Sequence, residues 1–479
     1  MKDSYDVVVA GAGMAGSIAA AVVAKAGLSV ALVDRNTALE AGKKTNWGWV
    51  CGNAVAAGHL DLVHSKLGIS FNYPELEFKV DSVTALSPDL KHRFQFDGTG
   101  FMLDRPEFER KLLGMAIKNG ADFVPEFEVE APILDGTSIA GIKGKDKDKQ
   151  HKELRSKIVI DTLGMATTLR RKLPTNPYVD KDVDISDIES TGRYIYEFEP
   201  DHADLDYFDQ NTALIHLNNT NTPGGYGWVF PQGKNKVNIG IGVQKQSLDA
   251  RNKKLGRQDT LHMLMDEYVK SNPVLKGLRL CNKNNNGAGY WSVGVRRQMP
   301  SLVFNGYMGA GDSMVMANPL SAGGIGPALI AGILAGENAV RAISNRDTSI
   351  AGLWKYNTDF VSTYGNKTAG LEVFRVYLQS LNNDILNYGM KTFLTSEDAM
   401  EMSYGRIPKL SIASKFKLIL KGASNIDAFS NLLYVVKKMK LLNGLYQNYP
   451  SSPEGFEKWR ALVDKEIEES KARFAPNPV

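Results

Sequence analysis

Three glycines near the N-terminus have the spacing of a phosphate-binding turn. Gly11, Gly13 and Gly16 follow a short β-branched run in the pattern G-x-G-x-x-G. The first glycine of this pattern permits a tight turn, the second lets the backbone approach a pyrophosphate, and the third allows a helix to pack closely on a strand. Asp34 stands where an acidic side chain can accept hydrogen bonds from an adenosine ribose. These residues predict a dinucleotide site, for NAD or for FAD.

The elements that must position these glycines can be predicted from the surrounding sequence. Residues 6–10 predict a strand, Ile18 to Ala26 have the apolar spacing of a helix that ends at Gly27, and residues 28–33 predict a second strand. This order is a βαβ unit. The helix would direct its N-terminal N–H groups and its positive dipole at the phosphates.

A second glycine-rich segment lies far downstream and also follows a predicted strand. Gly309, Gly311 and Asp312 precede a helix that we expect from about Pro327, since proline suits the first helical turn. The segment would either bind part of the dinucleotide or merely connect the strand to the helix.

The chain contains two cysteines, Cys51 and Cys281. Two thiols cannot build a disulfide framework, a tetrathiolate metal site or an iron–sulfur cluster held by four thiolates, so no metal site is predicted. A free thiol is mostly protonated at neutral pH and can donate a proton. For Cys51 a proton donor and a buried structural residue both remain open, whereas Cys281 is interpreted as structural.

Three aromatic residues alternate along one predicted strand. Tyr226, Trp228 and Phe230 would point to the same face, where they could form the wall of an apolar pocket or part of the core. Neighbouring strands are predicted around residues 194–198, 213–217 and 237–243, with a hairpin turn at Gly233 to Lys236. The middle of the chain therefore predicts an antiparallel sheet.

The whole-chain properties set further limits. A length of 479 residues predicts two to three domains or subdomains, and a net charge of +4 gives no reason to expect nucleic acid as a partner. The charged stretch 143–157 is interpreted as a solvated hairpin, and the chain after Asp347 as almost wholly helical. No secretory signal and no membrane span is predicted, which indicates an intracellular protein.

Several motifs resemble those of a known flavoprotein family. The segment after Gly309 resembles the second FAD motif of the flavoproteins that include aromatic hydroxylases and lipid reductases. The block from Thr222 to Gly242 contains Tyr-x-Trp-x-Phe-Pro, and Val50 to Ala54 is similar to a cysteine-glycine-aspartate segment. With the helical blocks GLWKYNTDFVSTYGNK and FRVYLQSLNNDILNYGMK, these motifs resemble the geranylgeranyl reductase family over the whole chain, and closely its archaeal members.

This resemblance implies FAD as the cofactor and assigns roles to individual residues. Cys51 would donate a proton beside the flavin, and Tyr226, Trp228 and Phe230 would bind a prenyl chain. The implied cofactor-binding residues are Gly11, Gly13, Ala15, Gly16, Asp34, Arg35, Cys51, Gly52, Arg105, Gly164, Asp312, Gly323, Gly324 and Ile325. For Arg105 a surface salt bridge is an alternative.

Two departures from the family pattern affect these assignments. Asn53 stands where family members often have aspartate, and an amide cannot act as an acid or a base. The sequence Thr162-Leu163-Gly164 matches the usual alanine-threonine-glycine turn only in part.

The implied fold class is α/β, with a Rossmann-like FAD-binding domain of the aromatic-hydroxylase type, an antiparallel β-sheet substrate domain and a helical C-terminal region. We expect the FAD-binding domain at 1–70, 101–178 and 300–345, the substrate domain at 71–100 and 179–299, and the helical domain at 346–479.

The implied function is saturation of geranylgeranyl chains in isoprenoid ether lipids of archaeal-type membranes. The alternatives are an FAD-dependent monooxygenase of the aromatic-hydroxylase type and a non-catalytic lipid-binding flavoprotein. The expected partners are an isoprenoid lipid and an external electron donor, either a ferredoxin-like protein or NADPH.

Two basic features could bind the lipid headgroup or the surface of the membrane that contains the lipid. Arg296 and Arg297 are candidates for binding a polar headgroup, although ion pairs within the protein explain them equally well. The segment from Lys409 to Tyr446 alternates lysines with apolar residues, as either a basic amphipathic helix on a membrane or a packed surface helix does. We expect a cytoplasmic protein with peripheral contact at the inner face of the membrane.

Overall fold

The structure is a computed structural model. It describes residues 2, 4–44, 49–199, 201, 208–272, 274–281, 289–392, 395–403 and 426–476.

Two β-sheets contain the strands of the described chain. In chain order the strands are β1 (Ser4–Ala10), β2 (Val30–Val33), β3 (Ala54–Ala56), β4 (Leu76–Leu86), β5 (Arg93–Leu103), β6 (Asp122–Val124), β7 (Glu128–Asp135), β8 (Ser138–Lys145), β9 (His151–Asp161), β10 (Ile188–Glu197), β11 (Thr212–His216), β12 (Gly227–Pro231), β13 (Lys236–Gln244), β14 (Arg279–Leu280), β15 (Gly289–Gly294), β16 (Val303–Phe304) and β17 (Tyr307–Gly309).

Helices cover both sheets and make up the C-terminal region. They are α1 (Met14–Lys25), α2 (Ala57–Leu67), α3 (Arg105–Lys118), α4 (Thr168–Arg171), α5 (Lys245–Leu255), α6 (Leu261–Lys270), α7 (Ile325–Ser344), α8 (Ile350–Leu353), α9 (Lys355–Thr363), α10 (Thr368–Gln379), α11 (Asn383–Thr392), α12 (Ser396–Ser403), α13 (Ile426–Gln447) and α14 (Phe456–Arg473); short 3-10 turns lie at Ile185–Asp187, Gly311–Met314 and Gly365–Lys367.

The first sheet contains the expected βαβ unit. Its strand order is β16-β17-β9-β1-β2-β6, with β7 and β8 attached antiparallel to β9. Strand β1 pairs in parallel with β2, Val7 opposite Val30, and with β9, Val7 opposite Ile158. Because the parallel strands are covered on both faces, their side chains are almost wholly apolar and buried. The α/β fold class is thereby confirmed.

The second sheet is antiparallel except for one parallel pair, β4 with β11. Its strand order is β14-β10-β13-β12-β11-β4-β5-β3, with β15 also paired to β10. The predicted hairpin joins β12 to β13, and Gly233 and Asn235 adopt the positive φ angles that such a turn uses. Strand β3 and the end of β5 belong to this sheet, although we expected residues 1–70 and 101–178 in the FAD-binding domain.

Helices make up most of the described C-terminal region, as the sequence predicted. Helix α7 begins at Ile325, two residues before the expected start at Pro327, and its packing against α1 joins the two glycine-rich segments. Buried residues of the later helices, such as Trp354, Tyr356 and Phe456, share one continuous hydrophobic cluster with the first sheet. The helical region therefore holds a fixed position over the sheets.

Candidate active site

A large cavity lies where the two sheets and the C-terminal helices meet. Its volume is about 1010 Å³. Its walls comprise the N-terminal glycine turn, the segment around Cys51, the inner face of the second sheet, the loop before α7, and helices α10 and α11. Most of the cavity wall is apolar, and its polar groups are concentrated at a few positions.

Two of the three N-terminal glycines allow close packing of the backbone, and the third faces the cavity. A side chain at Gly11 would overlap the backbone of Thr162, and one at Gly16 would overlap the carbonyl of Gly11. A Cβ at Gly13 would meet no atom within 4 Å, and Gly13 and Ala15 line the cavity. No side chain caps the N-terminus of α1. The turn therefore leaves backbone N–H groups and space for a phosphate.

Asp34 and Arg35 lie behind this turn, outside the described cavity lining. Asp34 is buried and accepts hydrogen bonds from the backbone N–H groups of Ala12 (2.8 Å) and Gly42 (3.3 Å). Burial raises the pKa of the Asp34 carboxyl, and these hydrogen bonds oppose that increase. Arg35 is exposed and donates to the backbone oxygen of Lys44. Asp34 thus fixes the shape of the glycine turn.

The second glycine-rich segment lies next to the first, since a Cβ at Gly311 would be 3.4 Å from the side chain of Ala15. Asp312, Gly323, Gly324 and Ile325 all line the cavity, and no side chain caps the N-terminus of α7. Lys44 forms an ion pair with Asp312 at 3.0 Å, and its charge lowers the pKa of the Asp312 carboxyl. Gly164, from the turn after β9, lines the same region. The chain therefore brings the predicted residues of both motifs to one site.

Arg105 is a buried residue, so the surface salt bridge that we considered for it is wrong. It begins α3, lines the cavity and pairs with Glu109, one helical turn later. Burial lowers the pKa of the Arg105 guanidinium, but Glu109 and Cys51 outweigh this effect and raise it. The second oxygen of Glu109 has no hydrogen-bond partner in the described chain. The i, i+4 spacing of the two residues could have predicted Glu109.

A buried arginine supports the segment that carries Cys51. The guanidinium of Arg193 donates to the backbone oxygen of Cys51 at 3.0 Å and to that of Trp49. Asn238 donates to the same Cys51 oxygen at 2.9 Å. Burial lowers the pKa of Arg193 to about 10, and Cys51 opposes this effect. The half-buried Cys51 side chain lines the cavity on this rigid support.

The backbone conformation and hydrogen bonds at position 53 explain why asparagine occurs there. Its φ is +63°, a left-handed conformation that asparagine and aspartate tolerate better than most residues. Its amide nitrogen donates to Gln232 at 3.2 Å, and its backbone N–H donates to the sulfur of Cys51 at 3.4 Å. Asn53 therefore holds the turn next to Cys51 and does not supply a proton.

Tyr226, Trp228 and Phe230 form a continuous row on the cavity wall. The rings of Tyr226 and Trp228 have centroids 6.2 Å apart, as do those of Trp228 and Phe230. All three residues line the cavity. The Trp228 nitrogen donates to Asn238 at 3.0 Å, and the Tyr226 hydroxyl donates to the backbone of Ser321 at 2.5 Å.

Glycines make room for this aromatic row. Gly240 lies opposite Trp228 in the β12–β13 ladder, and a side chain there would overlap the indole ring. A Cβ at Gly52 would come within 2.9 Å of the Phe230 ring. Gly52 itself lines the cavity between Cys51 and the aromatic row.

Beyond the aromatic row, the cavity continues between the second sheet and the C-terminal helices. Apolar residues of the sheet, including Val80, Phe94 and Ile215, face Phe374 and Leu386 of α10 and α11. An apolar passage of this kind suits a hydrocarbon chain. No local pattern in the sequence indicates how these helices pack on the sheet, so this part of the wall could not be predicted.

One end of the passage carries a small polar cluster that sequence reasoning missed. Glu189 of β10 lines the cavity and accepts a hydrogen bond from Gln379 at 3.3 Å. Arg375 also lines this end, where Asp187 pairs with it at 2.7 Å. Burial raises the pKa of Glu189 to about 7, although Arg375 and Gln379 act in the opposite direction.

Arg296 and Arg297 do not line the described cavity. Arg297 is buried and pairs with Glu372 at 3.0 Å and with Asp464 at 2.7 Å. Arg296 lies 3.9 Å from Asp180. The ion-pair interpretation of these two arginines is therefore confirmed, and a role in headgroup binding is not supported.

The basic C-terminal segment is only partly described. Residues 404–425, which include Lys409 and the sequence KFKLILK, lie outside the described residues. In α13, Val435, Met439, Leu442 and Tyr446 are buried, and Lys438 pairs with Glu466 of α14, so the described half packs as a surface helix. No described helix is long and apolar enough to cross a membrane. Within the described residues, no cluster of metal-ligating side chains occurs.

The residues at the glycine end of the cavity fit FAD. Gly13 leaves open space at an uncapped helix N-terminus, and Lys44 and Arg105 add positive charge beside it. Glu109 and Asp312 offer acceptors for hydroxyl groups, and a second uncapped helix begins at Ile325. This arrangement suits a ligand with a pyrophosphate, a polyol and an electron-accepting ring.

Comparison with known proteins gives results consistent with this geometry. Residues 6–170 match the family model of FAD-dependent oxidoreductases, and residues 187–278 match that of the geranylgeranyl reductase catalytic domain. The chain is 33% identical over 483 residues to a digeranylgeranylglycerophospholipid reductase of Sulfolobus acidocaldarius, with 98% of this chain and 99% of the relative covered. A reductase of the same name from Methanococcoides burtonii is 28% identical, with 81% and 87% covered.

Solved structures show the same fold. A geranylgeranyl bacteriochlorophyll reductase-like protein from Thermoplasma acidophilum superposes with a TM-score of 0.71 at 22% identity, covering 92% of this chain and 99% of that one. A myxobacterial FAD-dependent halogenase superposes with a TM-score of 0.64 at 14% identity, covering 95% and 99%.

Proposed function

Because the chain belongs to the family of digeranylgeranylglycerophospholipid reductases, we infer that it is an FAD-dependent reductase that saturates the carbon–carbon double bonds of geranylgeranyl chains in archaeal-type ether lipids. The observation that carries this conclusion is the continuous apolar cavity that extends from the two glycine motifs, past Cys51 and the aromatic row, to the C-terminal helices. A prenyl chain could enter it and present one double bond at a time.

Reduced FAD supplies the hydride for this reaction. We propose that Gly13 and Ala15 bind its pyrophosphate together with Lys44 and Arg105, and that Asp312 binds its polyol chain. Gly11 and Gly16 keep the turn compact, and Asp34 holds it from behind. Gly164, Gly323, Gly324 and Ile325 would border the ring. Arg35 is exposed and would at most reach the adenosine end.

Cys51 is the proposed proton donor to the second alkene carbon. Its side chain lines the cavity next to Gly52 and the aromatic row, and Arg193 and Asn238 fix its backbone. A fixed donor lowers the entropy cost of reaching the transition state. Tyr226, Trp228 and Phe230 would hold the chain and stabilise positive charge that develops on the tertiary carbon through their π faces.

The reaction also requires a reductant that reaches the flavin from outside. We propose that a ferredoxin-like protein or NADPH fills this role. We further propose that the protein works in the cytoplasm, in peripheral contact with the inner face of the membrane. Support for this location comes from the substrate, since an ether lipid with geranylgeranyl chains resides in a bilayer.

The test is an anaerobic reaction of the dithionite-reduced protein with an unsaturated geranylgeranyl ether phospholipid. The expected result is flavin reoxidation together with lipid of increased mass in the wild-type protein. Cys51→Ala should slow the saturation roughly a hundredfold, a typical contribution of general acid catalysis, while flavin content stays unchanged. An unimpaired Cys51→Ala variant would remove the thiol from the mechanism. Reoxidation in air alone, with unchanged lipid, would favour the monooxygenase or the lipid-binding flavoprotein.

A further inference from the structure

We propose that Glu189 is the proton reserve of the active site, whose uncharged carboxyl returns a proton to Cys51 after each double bond is saturated. The proposal rests on the function inferred above, in which every saturation consumes one proton. A geranylgeranyl chain carries several double bonds, and the donor must be reprotonated before the next one can react. The surrounding wall is largely apolar, so this proton needs a defined source.

The fold places Glu189 on the cavity wall beside the aromatic row. Side chains alternate along β10, so Glu189 and Thr191 lie on the same face, and both line the cavity. Gly242 of β13 has no side chain, and a Cβ there would lie 2.9 Å from a carboxyl oxygen of Glu189. Gly242 also donates its backbone N–H to the backbone oxygen of Tyr226 at 2.9 Å. The carboxyl therefore occupies the space that this glycine leaves next to Tyr226.

Among the described residues, none of the groups that face Glu189 forms an ion pair with its carboxyl. From α10, Gln379 donates a hydrogen bond at 3.3 Å, and Arg375 directs its guanidinium to Asp187 at 2.7 Å. Lys471 of α14 binds the same Asp187 at 2.7 Å. From β15, the facing residues Trp291 and Val293 bring no charge.

This environment favours the protonated form of the carboxyl. Only 5% of Glu189 is exposed, and burial disfavours its charged form. As noted above, burial raises the pKa of Glu189 to about 7. Two other acidic residues of the cavity wall differ from Glu189 in this respect, since Asp312 pairs with Lys44 and Glu109 pairs with Arg105.

Glu189, Tyr226 and Cys51 line the same cavity, so a proton can pass from the reserve to the donor within it. Burial raises the pKa of the Tyr226 phenol, and the nearby Glu189 and Cys51 raise it further. After Cys51 has given its proton, a proton leaves the carboxyl oxygen of Glu189 and an S–H bond forms on Cys51. The electron pair stays on the carboxylate, which regains a proton from an acid in the solvent. A thiolate is a stronger base than a carboxylate, so this transfer is favourable; it would pass through a water molecule in the cavity.

The test separates the first saturation from the later ones. The FAD-loaded protein, Glu189→Gln and Glu189→Asp would each be kept reduced anaerobically with excess dithionite, so that every flavin is reduced again after each saturation. Each would be mixed with geranylgeranyl ether phospholipid, and lipid mass would be followed with time and pH. In Glu189→Gln the first double bond that each enzyme molecule saturates should react at the wild-type rate, since Cys51 still holds its proton. The later bonds that the same enzyme molecule saturates should react roughly a hundredfold more slowly, the lower range of a proton-transfer contribution.

The pH profile provides the second readout. The wild-type rate for later bonds should fall as the pH rises through about 7, where the reserve loses its proton. Glu189→Gln should lack this decrease, and Glu189→Asp, which keeps a carboxyl, should retain it. Equal slowing of the first and later bonds, or no slowing at all, would overturn the proposal. A wild-type protein that saturates no double bond would instead refute the proposed function.

Discussion

The contact between Trp228 and Gly240 gives a prediction that can be worked out in detail. Gly240 lies opposite Trp228 in the β12–β13 ladder, and the indole ring covers its Cα. In Gly240→Ala, the new methyl group would lie 2.0–2.5 Å from three atoms of the indole ring, much closer than van der Waals contact allows. The backbone of this central strand cannot retreat, because it is paired on both sides. The ring must therefore move towards the cavity.

The loss of stability can be calculated from the interactions that the displaced indole ring loses. Overpacking of a well-packed site costs about 1–3 kcal/mol. Moving the ring also breaks the 3.0 Å hydrogen bond from the Trp228 nitrogen to Asn238, which contributes about 1 kcal/mol. We therefore expect Gly240→Ala to destabilise the protein by about 2–4 kcal/mol. The displaced ring would also narrow the passage and weaken lipid binding.

A double-mutant cycle measures this contact directly. Thermal unfolding of Gly240→Ala, Trp228→Leu and the double variant would be compared with that of the wild-type protein. Once the ring is removed, the alanine at position 240 should cost little, so the double variant should be about as stable as Trp228→Leu. Gly98→Ala is the matched control, since a Cβ there meets no atom within 4 Å. Full additivity of the two substitutions would refute this reasoning.

Three further predictions concern the cofactor turn, the buried acid and the buried ion pair. Gly13→Val should fold normally but retain little flavin, whereas Gly16→Ala should unfold at a lower temperature; normal flavin content in Gly13→Val would contradict this. The pKa of Glu189 is higher in the folded protein than its ordinary value of 4.5, so stability should fall as the pH rises from 4.5 to about 7, by up to about 3 kcal/mol. Glu189→Gln should lack this loss in thermal unfolding measured at several pH values, and an unchanged pH dependence would contradict the assignment. Arg297→Met leaves Glu372 buried without its partner and should cost about 3–5 kcal/mol in thermal unfolding; a wild-type melting temperature would contradict this.

Local sequence signals predicted the elements that follow a short-range rule. The βαβ unit at the N-terminus, the hairpin at Gly233 and the helical C-terminal region all lie where spacing and turn residues indicated. The aromatic row could be predicted as well, because alternation along one strand places its side chains on one face. These features depend on neighbouring residues and need no knowledge of tertiary contacts.

Features that depend on the pairing of distant segments could not be predicted. Arg193 supports Cys51 only because the segment around Cys51 lies on β10 and β13, and no local pattern indicates this contact. The carboxyl of Glu189 has room at the cavity wall because Gly242, on the neighbouring strand β13, has no side chain. Arg297 was ambiguous for the same reason, since its partner Glu372 lies on a helix far along the chain.

The most direct test of the central claim is the stoichiometry of the anaerobic reaction. A known amount of dithionite-reduced protein, freed of excess reductant, would be mixed with geranylgeranyl ether phospholipid, and both flavin absorbance and lipid mass would be measured at completion. The account predicts one double bond saturated, with a gain of two hydrogens, for each flavin reoxidised. Flavin that stays reduced until air is admitted, with lipid of unchanged mass, would contradict it.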